Sequence, residues 1–141
     1  MIYHIVKENE YFTGNDGKHY LPLQYKESGF VHCAFEPSVI PVANDYYLNV
    51  EGKLLLLRID PSKLNSQIKY EPPSPEGGVR AMHVTSSPVF PHVYGPIHNS
   101  AVDGVGVLVK ENNGYIWPEE FMTFDEYMST NQNVLPRRTK L

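Results

Sequence analysis

The sequence predicts a single compact α+β domain, rich in strands and with few helices. Three observations predict it. Short β-branched and aromatic runs recur between clusters of Gly, Pro, Asn and Asp, the punctuation of strands and turns. Few segments carry helix signals. The chain has 141 residues with no internal repeat and no linker, a length that suits one domain around one core.

Residues 2–6, Ile-Tyr-His-Ile-Val, predict the first strand, with Ile2, His4 and Val6 on one face and Tyr3 and Ile5 on the other. Gly14, Asn15, Asp16 and Gly17 supply loop chemistry. Residues 29–35 read as a second strand, placing Phe30, His32 and Ala34 opposite Val31, Cys33 and Phe35. Ser38 caps a helix running to about residue 48, with Pro41 in its first turn, where a missing N–H has no intrahelical partner to lose. Val39, Val42, Ala43, Tyr46 and Tyr47 give it an apolar stripe.

Residues 54–59 are apolar up to Arg58, the pattern of a strand covered on both faces. Each buried leucine there stabilises by about 1.5–3 kcal/mol, which makes this strand the anchor of the core. Asp60-Pro61 turns the chain into a strand at 68–71, and the Pro- and Gly-rich stretch from residue 72 is a loop long enough to be a lid. Residues 90–97, Phe-Pro-His-Val-Tyr-Gly-Pro-Ile, read as a rigid turn or edge segment, because proline fixes φ and lacks a ladder donor. If extended, it points His92 and Tyr94 to the same side. Residues 101–109 predict a further strand, and Asn112-Asn113-Gly114 a hairpin into Tyr115, Ile116 and Trp117. Thr123 with Glu126 forms a capping box for a short terminal helix.

The net charge of −4 gives no electrostatic case for nucleic acid or an anionic membrane. The basic cluster Arg137-Arg138-Thr139-Lys140 reads as a solvated tail. A single cysteine, Cys33, excludes an internal disulfide, fits a reducing compartment and sits in an apolar strand like an inert buried thiol. The N-terminal apolar run is too short for a signal segment or a membrane span, so a soluble, cytoplasmic protein is expected.

Six histidines invite a metal, yet no Cys-x-x-Cys or His-x-x-x-His pair is present, and His32 and Cys33 face opposite ways on a strand. The tripeptides at His83 and His98 resemble two-histidine phosphoesterase motifs, but only fifteen residues separate them, which argues against that reading. No nucleophile elbow and no Gly-rich phosphate loop occurs. What remains is His4, His32, Glu71, Arg80, His92 and Tyr94, on strands and at their ends. Glu71 stands out, because a carboxylate ending an apolar strand is costly to bury without a partner, and Arg80 is one candidate for that partner.

At these residues the chain resembles the domain-of-unknown-function family 952 (DUF952). The resemblance is carried by residues 2–5, 29–33, the helix around Val42, Ala43, Asn44, Tyr46 and Tyr47, then 54–60, Tyr70-Glu71 and 90–97. It implies a family-like core over residues 1–109, with 110–141 added as a hairpin and helix packed on the same domain. The family is similar in architecture to the ADP-ribosyltransferase superfamily, which includes RNA 2′-phosphotransferases, and the resemblance implies a mixed, mostly antiparallel split sheet. That similarity implies NAD or an ADP-ribose-like nucleotide as substrate, an unspecified acceptor, and no metal. By strand order, His4 with Arg80 meets phosphate charge and His32 or Tyr94 packs the leaving ring. His92 or Glu71 holds the ribose hydroxyls. His92, Glu71 and Tyr94 are thus the expected catalytic residues, and His4, His32 and Arg80 the expected nucleotide-binding ones. The rival expectations are a non-catalytic nucleotide or small-molecule binding module and a metal-dependent hydrolase.

Overall fold

The computed structural model describes residues 1–72 and 89–130, so Arg80, His83, most of the expected lid and the basic C-terminal cluster lie outside the described residues. In chain order it begins with β1 (Ile2–Lys7), α1 (Glu8–Thr13), β2 (His19–Tyr20), α2 (Tyr25–Ser28), β3 (Val31–His32) and α3 (Glu36–Tyr46). It continues with β4 (Leu54–Ile59), β5 (Gln67–Glu71), β6 (Phe90–Tyr94), β7 (Ile97–His98), β8 (Val102–Glu111), β9 (Gly114–Ile116) and the terminal helix α4 (Phe124–Thr130).

The strands form a four-stranded sheet β1-β4-β8-β9, a three-stranded sheet β3-β6-β5 and the ribbon β2-β7. Among the described residues every strand pairing is antiparallel, which corrects the expectation of a mixed sheet. Tyr3 and Ala34 exchange both backbone hydrogen bonds, at 2.9 and 2.8 Å, and so stitch β1 to the chain just past β3. The α+β class, the mostly antiparallel pairing and the small helical content agree with the sequence.

Alternation along β4 explains why it anchors the fold. Leu55, Leu57 and Ile59 join Ile2, Val6, Val31, Val93 and Val105 in one core layer. Leu54 and Leu56 point the other way, into a layer with Tyr3, Leu108 and the α3 residues Val39 and Ala43. Two layers on one strand account for its continuous apolar run. Among the described residues no helix is long and apolar enough to cross a membrane.

Several local expectations shift for identifiable reasons. The helix starts at Glu36 rather than after Ser38; Pro37 fills the first turn, Pro41 lies inside the helix, and Ser38 is buried. Pro41 therefore forfeits one intrahelical bond, which burial of Val39 and Ala43 offsets. The strand expected over 29–35 pairs with β6 only at Val31 and His32, because the chain then changes partner at Ala34. Residues 90–94 are the middle strand of their sheet, not a turn or an edge. The Pro91 carbonyl accepts from the Cys33 N–H at 3.0 Å, so its donor-less ring nitrogen faces the same side, past the end of β3, where its missing N–H is tolerated. Gly95, at φ 146°, closes β6, and a Cβ there would overlap the Ser66 hydroxyl.

The β8–β9 register pairs Glu111 with Gly114, leaving Asn112, at φ 54°, and Asn113 as a two-residue loop. The capping box is present: Glu126 N–H donates to Thr123 Oγ1 at 3.0 Å, and Thr123 N–H donates to Glu126 Oε1 at 2.9 Å. Helix α4 lies back on the core, where the buried Tyr127 donates its hydroxyl to the Glu8 carboxylate at the start of α1.

Candidate functional site

Val93 on β6 and Val31 on β3 pack inward, so alternation sends their neighbours to the outer face of the three-stranded sheet. The register sets His92 between His32 and Lys69, and Tyr94 opposite Gln67. Glu71 is the last residue of β5, two positions beyond Lys69 and on the same face.

There, one carboxylate oxygen is clamped. Glu71 Oε1 accepts from His92 Nδ1 at 2.8 Å and from the Tyr94 hydroxyl at 2.5 Å. The two donors, Tyr94 first and His92 second, hold the Glu71 carboxyl below the usual carboxylate range, so it is ionised at neutral pH. The same contact pushes the Tyr94 phenol up. An ionised carboxylate only accepts, so the His92 proton toward Glu71 resides on Nδ1. Glu71 Oε2 has no hydrogen-bond partner among the described residues. The Glu71 side chain is 35% exposed and its clamp His92 only 4%, so an accessible charge rests on a buried support.

Aromatic surface surrounds this charge. Phe30 stacks on His92 with centroids 3.9 Å apart, and lies 4.6 Å from His32 and 5.4 Å from Tyr94. The His32 and His92 rings meet at 5.9 Å. Lys69 Nζ sits 4.8 Å from the centre of the Tyr94 ring, adding a cation beside the carboxylate.

His4 stands apart from the cluster. It is 6% exposed, its Nδ1 lies 2.6 Å from the His32 carbonyl and its Nε2 2.9 Å from the Tyr20 hydroxyl. Burial drives its pKa down to about 4, so the ring is neutral; Nδ1 donates to the carbonyl and Nε2 accepts from Tyr20. With both nitrogens engaged behind the sheet, His4 fixes the backbone of β3 instead of meeting a ligand. Of the six residues singled out in the sequence, the structure brings together Glu71, His92, Tyr94 and His32, and Arg80 lies outside the described residues. Sequence reasoning missed Lys69 and Phe30 as members, although alternation from Glu71 and from His32 was enough to find both.

The buried asparagines and the cysteine have structural explanations. Asn15 and Asn99 form a buried reciprocal amide pair at 2.8 and 3.0 Å. Cys33 is buried, which raises its thiol pKa and makes it inert. Among the described residues no three His, Cys, Asp or Glu side chains come together as a metal-holding group.

The family described as "Protein of unknown function (DUF952)" matches residues 5–105. Two crystal structures of protein CC0527 from Caulobacter crescentus are similar in fold. The CC0527 structure superposes with a TM-score of 0.64 at 19% identity, and its double mutant with 0.63 at 18%. In each case 89% of this chain and 96% of the other are covered, and at that identity the likeness speaks for the fold alone. No curated protein matches.

Proposed function

The chain belongs to the DUF952 family, and we propose that the outer face of its three-stranded sheet is a nucleotide site for ribosyl transfer, with NAD or an ADP-ribose-like nucleotide as substrate. The observation that carries this reading is the Glu71 carboxylate, anchored through one oxygen by His92 and Tyr94, with its other oxygen unbonded among the described residues. A fixed anion beside a ribose accepts hydrogen bonds from its hydroxyls and stabilises the positive charge that grows on the sugar as the glycosidic bond breaks. Phe30 and His32 offer flat surface to a ring, and Lys69 meets phosphate charge.

In the step, the bond between the ribose C1′ and the nicotinamide nitrogen breaks and its electron pair leaves with nicotinamide. The acceptor's lone pair then closes on C1′ and its proton passes to solvent; water as acceptor yields ADP-ribose. His92 and Tyr94 are positioning residues here, since both act through Glu71, and His4 supports β3 from behind.

Incubation with NAD, followed by chromatography of released nicotinamide, tests the reading. Release that falls by about 10²-fold or more in Glu71→Gln is the expected outcome, the usual size of a lost preorganised charge. Saturable NAD binding without nicotinamide release would establish the non-catalytic module instead. Neither binding nor release removes nucleotides from the account.

A further inference from the structure

A cleft lies on the other large sheet, the one that ends in β9. Period-2 alternation puts Val105, Val107, Val109 and Glu111 on one face of β8, and Ile116 joins them opposite Val109. With the segment leading into α4 they enclose a cavity of about 340 Å³. Most of its lining is apolar, and Val109 and Ile116 remain 48% and 37% exposed. Three carboxylates, Glu111, Glu119 and Glu120, line it as well, and none forms an ion pair or hydrogen bond among the described residues.

We propose that this cleft binds a small organic cation, an ammonium group carried on an apolar body. The apolar floor takes the body and the carboxylates take the charge, a complementarity that an anionic or purely apolar ligand lacks. Size favours a small molecule over a protein partner, because the cavity lies near the lower end of the roughly 300–1,000 Å³ of ligand pockets. Strand addition is blocked too, since the Tyr115 N–H on β9 already donates to Asn44 Oδ1 at 2.7 Å. The site is independent of Glu71, which sits on a different sheet.

The test uses one apolar body with three heads: hexylammonium, 1-hexanol and hexanoate, titrated into the full chain and followed by methyl NMR of Val107, Ile116 and Met122. Hexylammonium should give saturable shifts at these methyls and bind at least about threefold tighter than hexanol, the scale of exposed charge pairs. Hexanoate should bind more weakly than either. The triple substitution Glu111→Gln/Glu119→Gln/Glu120→Gln should erase the preference for the cation while leaving hexanol binding unchanged, with the remaining spectrum showing an intact fold. Equal binding of all three probes, no saturable shift, or shifts centred elsewhere would overturn the proposal.

Discussion

Strands β4 and β6 are both middle strands with antiparallel partners on either side, and they put that position to opposite uses. Along β4, Leu54 is 1% exposed and Leu55, Leu56 and Leu57 are 0%, because core layers cover both faces. Along β6, Val93 turns into the core, while His92 and Tyr94 turn outward to a carboxylate. The two sheets share their pairing chemistry and differ in whether the second face is needed for packing. Polar groups collect where it is not. The polar groups of β6 stay ordered because its neighbours β3 and β5 supply matching aromatic and charged partners in register.

Truncation on β4 gives the largest expected effect. Leu56→Ala should destabilise the protein by about 2–5 kcal/mol in urea unfolding, the range for a leucine deleted from a core that collapses only in part. A loss below about 1 kcal/mol would erase the distinction between the two strands.

Next comes the imidazole that links the two sheets. The folded pKa of His4 lies near 4 against an ordinary 6.5, so the unfolded chain binds the extra proton first. Its contribution is complete above pH 6.5 and is lost as pH falls toward 4, by about 3 kcal/mol in all. Urea midpoints measured across that window should fall more steeply for the native protein than for His4→Gln. Equal slopes would mean that the ring titrates as if in water.

The smallest effect concerns the clamp alone. Tyr94→Phe should raise the Glu71 carboxyl toward its ordinary range, read by carbon NMR of the side chain, and His92→Gln should raise it less, in the order of their contributions. An unmoved titration would separate Glu71 from β6 and remove the basis for its proposed role.

Much of this contrast was legible in the sequence. The apolar run at 54–59 announced two covered faces, and the spacing of His92 and Tyr94 announced a shared side. The prolines misled, because Pro91 reads as an edge signal until one knows that its partner strand stops there. Helix α1 was invisible for a different reason: six residues are under two turns, too short to display a 3.6-residue period. His4 illustrates the remaining gap. Its strand position was readable, whereas its burial depends on Tyr20 and the His32 carbonyl, which tertiary packing brings to it.

The bond from Tyr127 to Glu8 ties together groups separated by 119 residues. On a ribosome adding roughly 5–20 residues per second, the partner of Glu8 is made on the order of ten seconds after Glu8 itself. For that interval Tyr11 and Phe12 of the emerging chain lack Phe124 and Tyr127, whose rings later pack on them. Chains truncated before residue 123 should therefore be the form that holding chaperones retain and proteases cut, and chains that include α4 should escape both.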